Sequence, residues 1–266
     1  MSSQSKNIHF SSVISKEAEI ADDVVIGPFC IIRGRVKLGS GCRLESHVSL
    51  GSDYGIVEIG ERNVFSAGAV VGGPPQDLSY KNEATRLFIG HDNMIREMVT
   101  INIGSPKAGW GTTRVGSHCL IMAYSHVAHD CTIGDHVVIA NTTQLAGHVT
   151  FEDHVKVGGI CAFNQFVKVG KYAYIAGDSA VNKDILPFTI AQGKYAVMRA
   201  SNRIGMERAG YSKEDVEAIN RAVRIITKSG DTVEASLTRI RQECGTSAAV
   251  EDFVAFATGS TRGLGI

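Results

Sequence analysis

The sequence has little of several things, and each shortage excludes something. No stretch of 18 apolar residues occurs, so no membrane-spanning helix is expected. Charge of neither sign is in excess: 27 Lys and Arg face 27 Asp and Glu. A balanced chain offers no general field for nucleic acid. Only one tryptophan is present, Trp110, and aromatic residues make up 7% of the chain. The N-terminal stretch from Met1 to Asn7 is polar and lacks the apolar core of a secretory signal, so a cytoplasmic protein is expected. Helical periodicity is missing from most of the first two thirds.

What is there instead is a period of six. Ile8, Ile14, Ile20, Ile26, Ile32, Leu38, Leu44 and Leu50 keep it without a miss. It resumes over Val115, Ile121, Val127, Ile133, Ile139, Leu145, Phe151, Val157, Phe163, Val169, Ile175 and Val181. A hexapeptide period implies a parallel β-helix, in which each repeat is one short strand and a corner, and three repeats close a coil of about 18 residues. Residues 18 apart then stack at the inter-strand spacing of about 4.8 Å. Glycine often follows the aliphatic position (Gly27, Gly39, Gly51, Gly116, Gly134, Gly158, Gly170), where a corner needs positive φ or close backbone approach. Two residues before the aliphatic, the chain is restricted to small or β-branched residues. Cys30, Cys42, Cys119, Cys131 and Cys161 fall there, and read as small core residues rather than nucleophiles, ligands or disulfides. Cys244 lies outside the repeat and has no assigned role.

Three breaks interrupt the coils: 52–58, 73–88 and 102–114. Long loops on a rigid scaffold are where binding groups gather. The repeat ends near Asn182, with Pro187 marking the change. The expected architecture is therefore a β-helix over residues 1–187 and a helical domain over 188–266. Helices are expected at about 196–209, from Ser212 onward, at 231–243 and at 249–258. Ser212 and Asp215 form a capping-box-like start, followed by an apolar stripe of Val216, Ile219, Val223 and Ile226.

The densest chemistry is the run from Tyr124 to Asp130. The 18-residue ruler stacks Gly147 on His129, His148 on Asp130, and Gln165 above Gly147. His129 suits a general base, Asp130 an orienting partner, and Gly147 a backbone N–H for a developing oxyanion. Adjacent residues in a strand point apart, which argues against the Asp130 role. Two other readings stand beside this one: solvent-facing histidines without a role, and a zinc site using His126, His129 and His148.

Several motifs carry a resemblance. HVAHDC (126–131), LAGHV (145–149), NQF (164–166), GPFC (27–30), SHV (46–48), QDL.Y (76–80), IRE.VTI (95–101), IAQG (190–193) and STRGL (260–264) occur in order from end to end. Together they resemble the acyl-ACP–UDP-N-acetylglucosamine O-acyltransferase family of lipid A biosynthesis. The resemblance implies a homotrimer of left-handed β-helices with active sites between subunits. It implies transfer of an (R)-3-hydroxyacyl chain from acyl carrier protein to the glucosamine 3-hydroxyl, without metal, cofactor or acyl-enzyme. By the same resemblance His129 is the base, Asp130 its partner and Gly147 the oxyanion donor. Gln76, Asp77, His126, His148, Asn164, Gln165, Asn202 and Arg208 contact substrate. Gly177 matches the position where side-chain size limits acyl length, and glycine there implies a chain longer than ten carbons.

The chain departs from the family at Ser79 (lysine in familiar members), Asn102 and Asn164 (histidine), Ile204 (glutamate) and Ala209 (the second of two arginines). Lys81, and Arg199 or Arg203, are the expected substitutes. These changes leave room for a 3-amino sugar as acceptor, for another nucleotide-linked sugar, or for a non-catalytic or metal-binding trimer. The basic residues Arg199, Arg203, Arg208, Arg221, Arg224 and Lys228 suit either an acidic carrier protein or a solvated helix face.

Overall fold

The structure, a computed structural model, describes residues 7–106 and 111–266. Trp110 and the polar stretch up to residue 6 lie outside the described residues. The chain winds as a left-handed parallel β-helix whose rungs are mostly two-residue strands, such as His126–Val127, Gln144–Leu145 and Ala162–Phe163. In the uninterrupted part the register is 18 residues: His126 pairs with Gln144 and Thr132 with Thr150. The three breaks stretch it locally, as Ser49 pairs with Val70, Ile59 with Ile89 and Ile101 with Val127.

Every aliphatic position of the long run is buried, and so is the small position two residues earlier. Full burial of such an aliphatic side chain stabilises by about 1.5–3 kcal/mol. The small position does more than fill space. Cys131 Sγ donates to Ala146 O at 3.2 Å, Cys161 Sγ to Ala176 O at 3.3 Å, Ser125 Oγ to Ala140 O at 3.1 Å and Thr143 Oγ1 to Gly158 O at 3.1 Å. A small residue with a donor therefore satisfies a corner carbonyl one coil later.

The corners use glycine differently from one of the two expectations. Positive φ falls three residues after the aliphatic, on non-glycine residues: His118, Tyr124, Asp130, His136, Thr142, His148 and so on to Asp178. Each corner is closed by its own N–H, as His148 N donates to His129 O at 3.1 Å and Phe166 N to Gly147 O at 3.2 Å. The glycines one residue after the aliphatic mostly serve close approach. A Cβ at Gly116 would lie 2.6 Å from Gly134 O.

The breaks are narrower than the sequence suggests. Arg86–Ile89 and Thr112–Val115 are already rungs, because both pair with flanking coils. The tail differs at its start. Residues 196–201, expected to be helical, form the strand Ala196–Ser201, antiparallel to Thr189–Gly193. That hairpin extends the last rung, since Thr189–Gly193 pairs in parallel with Tyr174–Ile175. An open sheet edge needs such a cover, and edge pairing overrides the helical pattern of this segment.

Helix α1 is only Arg203–Arg208; α2 (Lys213–Lys228), α3 (Val233–Glu243) and α4 (Ala248–Thr258) follow as expected. Ser212 Oγ accepts from Asp215 N at 3.0 Å, and Val216, Ile219, Val223 and Ile226 are buried. The tail is tied to the coils by Lys171–Asp252 at 2.8 Å and by Ser260 Oγ donating to buried Asp184 at 2.7 Å.

Candidate active site

His129 and Asp130 occupy the corner after the rung His126–Val127. Asp130 takes φ +59°, and this turn removes the objection that neighbours point apart. His129 Nδ1 lies 2.8 Å from Asp130 Oδ2. Asp130 is 1% exposed, and its carboxylate is filled from the chain. Oδ2 also accepts from Ser105 N at 2.9 Å, and Oδ1 from Thr112 N at 3.1 Å. These donors replace the water that the buried carboxylate has lost. With Nδ1 donating to Asp130, Nε2 of His129 keeps its lone pair.

One coil later, Gly147 lies against the His129 ring. A Cβ there would stand 2.6 Å from Cε1 and 2.8 Å from Nε2. Gly147 is buried, yet among the described residues its N–H makes no hydrogen bond. A buried free donor is costly and calls for an explanation, of which a reacting partner is one. His148 stacks on Phe166 (centroids 4.5 Å, interplanar angle 6°), and its Nε2 is 3.9 Å from Asp130 Oδ2. Its buried Nδ1 has no partner among the described residues. Burial holds the His148 imidazole below the usual histidine range, although Asp130 pulls the other way. Burial and then the neighbouring His129 hold His126 down as well.

His126 faces the lower coil, where its Nδ1 is 2.7 Å from Thr100 Oγ1. The zinc set of the alternative reading, His126, His129 and His148, is therefore not assembled within one chain. Among the described residues the only group within ligand reach is His129, Asp130 and His148. Its carboxylate already serves three protein N–H groups, so this donor set does not fit a metal.

The two large excursions meet here. Asp77 Oδ2 accepts from Ser105 Oγ at 3.3 Å, and Ser105 in turn holds Asp130. Ser79 holds Asp77 with its hydroxyl at 2.6 Å and its N–H at 2.9 Å, so it supports that carboxylate. Gln76 is exposed beside it. Asn102 is 7% exposed with an unpartnered Oδ1 among the described residues. Asn164, Gln165, Phe166, Ala146 and Arg262 line a shallow cleft of about 420 Å³ on the Gly147 side.

Asn202 and Arg208 are elsewhere. They line a cleft of about 450 Å³ with His154, Lys156, Tyr172, Tyr174, Ile204 and Ala209. His154 and Tyr172 belong to a different corner row from Asp130, His148 and Phe166. Asn202 also has structural work: it caps α1, accepting from Gly205 N at 3.1 Å and donating to Tyr172 O at 2.8 Å. Neither Arg199 nor Arg203 lines this cleft. Lys156 does, and sequence reasoning missed it although the ruler sets it beside Tyr174. Ser105 and Thr112 were also missed. Both act through backbone N–H groups, where residue type carries no signal; Ser105 lies inside an insertion, while Thr112 opens a rung that the 18-residue ruler does set below Asp130.

All six cysteines are free and buried. Burial pushes the Cys119 thiol up to about 11 and Cys131 to about 12, so neither is a nucleophile near neutral pH.

Residues 184–265 match the family described as UDP-N-acetylglucosamine O-acyltransferase, domain 2, and residues 17–52 and 112–147 match the bacterial transferase hexapeptide repeat. The acyl-[acyl-carrier-protein]–UDP-N-acetylglucosamine O-acyltransferase of Syntrophobacter fumaroxidans is 42% identical, over 97% of this chain and 98% of its own. That of Thermodesulfovibrio yellowstonii is 40% identical, over 97% and 98%. The structure of UDP-N-acetylglucosamine O-acyltransferase from Moraxella catarrhalis superposes with a TM-score of 0.93 at 35% identity, covering 98% of this chain and 100% of that one. That of UDP-N-acetylglucosamine acyltransferase from Bacteroides fragilis gives 0.92 at 36%, covering 97% and 99%. End-to-end agreement of this kind, on coils, excursions and tail together, places the chain in the UDP-N-acetylglucosamine O-acyltransferase family.

Proposed function

We propose that this protein transfers an (R)-3-hydroxyacyl chain from acyl carrier protein to the glucosamine 3-hydroxyl of UDP-N-acetylglucosamine, the first step of lipid A biosynthesis. One observation carries the mechanism: His129 is fixed by Asp130 at 2.8 Å, while its other edge meets the face of Gly147. Asp130 holds the tautomer in which Nε2 accepts a proton. The sugar hydroxyl gives that proton to Nε2 as its oxygen attacks the thioester carbonyl. The free Gly147 N–H donates to the oxyanion. Collapse expels the carrier thiolate, which takes the proton back from His129. A positioned base contributes about 10²–10⁴-fold and an oxyanion donor about 10²–10³-fold. The reaction as written needs neither metal nor cofactor.

Asn202 and Arg208 flank a different corner from His129. A site that uses both sets needs two copies of the chain, and this supports a homotrimer with sites between subunits. Arg221, Arg224 and Lys228 gather on one exposed face of α2, beside the ion pair of Arg239 and Glu243 on α3, and these three cations suit an acidic carrier protein. No helix among the described residues is long and apolar enough to cross a membrane, and we place the enzyme in the cytoplasm with its carrier.

The test offers purified protein UDP-N-acetylglucosamine, or its 3-amino analogue, with several 3-hydroxyacyl carrier proteins, and reads products by mass spectrometry. An O-acylated product from the first acceptor is expected. Product from the 3-amino analogue alone would reassign the acceptor, and none from either would refute acyltransfer.

A further inference from the structure

The cleft of about 450 Å³ between α1 and the His154 corner has a lining of one sign. Lys156 and Arg208 both border it, and among the described residues no carboxylate does. Neither cation enters an ion pair among the described residues, in a chain whose charges otherwise balance at 27 against 27. The coil wall that carries Lys156 is also aromatic: Tyr172 stacks on His154 (centroids 4.5 Å, interplanar angle 7°), and Tyr174, paired with Lys156 in register, is 38% exposed. Two unpaired cations beside planar rings suit a phosphate ester attached to a ring or a polar chain. Ala209 also borders the cleft and offers no charge.

On the acyltransferase reading, both substrates carry phosphate esters: the diphosphate of the sugar nucleotide and the phosphopantetheine of the carrier. We propose that Lys156 is a further affinity-determining residue of this substrate cleft, a second cation for such a phosphate that partners Arg208 where Ala209 offers no charge. Lys156 sits on the rung Lys156–Val157, directly below Tyr174 in register. A rigid rung holds its ammonium stem more firmly than a loop would. This makes Lys156 a determinant of substrate affinity that does not act on the reacting atoms.

The test compares Lys156→Met, Lys156→Arg and Lys168→Met, the last an exposed lysine on another face. Initial rates give KM for each substrate and kcat, and calorimetry titrates UDP and 4′-phosphopantetheine separately. Lys156→Met is expected to raise one KM by about 10-fold or more with kcat nearly unchanged, while Lys156→Arg restores it and Lys168→Met has no effect. A rise for UDP-N-acetylglucosamine with weaker UDP binding assigns the cleft to the nucleotide. A rise for acyl carrier protein with weaker phosphopantetheine binding assigns it to the carrier. Unchanged KM values and unchanged binding of both probes overturn the proposal. If the wild-type protein turns over neither acceptor, acyltransfer fails, and the two titrations still decide the cleft.

Discussion

The imidazole of His129 lies across the face of Gly147, so close that a Cβ there would stand 2.6 Å from Cε1 and 2.8 Å from Nε2. No larger residue fits without displacing the base. Gly147→Ala should therefore lower kcat by about 10²-fold or more, since both the base and the oxyanion N–H would shift. The variant should remain folded, because the core aliphatics are untouched. Circular dichroism and single-turnover rates measure the two effects separately.

Asp130 and His129 should separate stability from activity. His129 is partly exposed in its side chain (13%), so His129→Gln should keep its melting temperature and lose about 10²–10⁴ in kcat. Asp130 is fully buried and accepts from two backbone N–H groups. Asp130→Ala should lose the same activity and also about 3–5 kcal/mol of stability, because those donors are left unpaired. Equal melting temperatures for the two variants would contradict this assignment.

Buried thiols should be silent. Burial pushes Cys119 up to about 11 and Cys131 to about 12. A thiol reagent at pH 8 should label the native protein only slowly, and all six cysteines after denaturation. Cys161→Ser keeps a donor for Ala176 O and should cost only about 1 kcal/mol or less by urea unfolding. Cys161→Ala leaves that carbonyl unpaired and should cost more.

Stability should fall on the acid side of neutrality. His126 and His148 are held below the ordinary value of 6.5, mainly by burial, and His154 by burial and then by His136. A lowered folded pKa means that the unfolded chain binds protons first. Their contribution is complete above 6.5 and is lost as pH falls from there through the lower folded values. Asp130 beside His148, and Asp153 and Asp135 beside His154, oppose the effect, while His129 and Lys156 reinforce it. Urea midpoints from pH 8 to pH 5 should decline, and His126→Gln should flatten the slope.

Gly177 should permit a long acyl chain. It is exposed, and an added Cβ would meet only Gly159, at 3.3 Å from its O. A preference for chains longer than ten carbons is expected, and Gly177→Met should shift it toward shorter ones. Product lengths from a mixed pool of acyl carrier proteins read this out. A wild-type preference for ten carbons or fewer would refute it.

Much of this protein was legible in its residues because a period of six is a direct geometric statement. Ile121, Val127 and Ile133 point inward on successive rungs, and the 18-residue ruler brought Gly147 to His129 without any coordinates. The ruler also reached His148 and Gln165. It could not reach Ser105, because an insertion resets the count; Thr112 lies one 18-residue coil below Asp130, but a contact made by a backbone N–H leaves no signal in residue type. Nor could composition foretell that Ala196–Ser201 pairs as a strand, since the edge it covers exists only once the coils have stacked.

The sequence by itself determined the coil, its inward residues and the column that carries His129, because local repetition dictates local geometry and stacking merely copies it. Only the tertiary structure decided that Asp130, at φ +59°, turns back onto its own neighbour, and that Ser105 from one excursion links Asp77 of the other to it. It alone also set Lys156 and Arg208 on one cleft, 52 positions apart in the chain. Those contacts depend on loop closure and on packing of the tail against the coils, which no period in the sequence encodes.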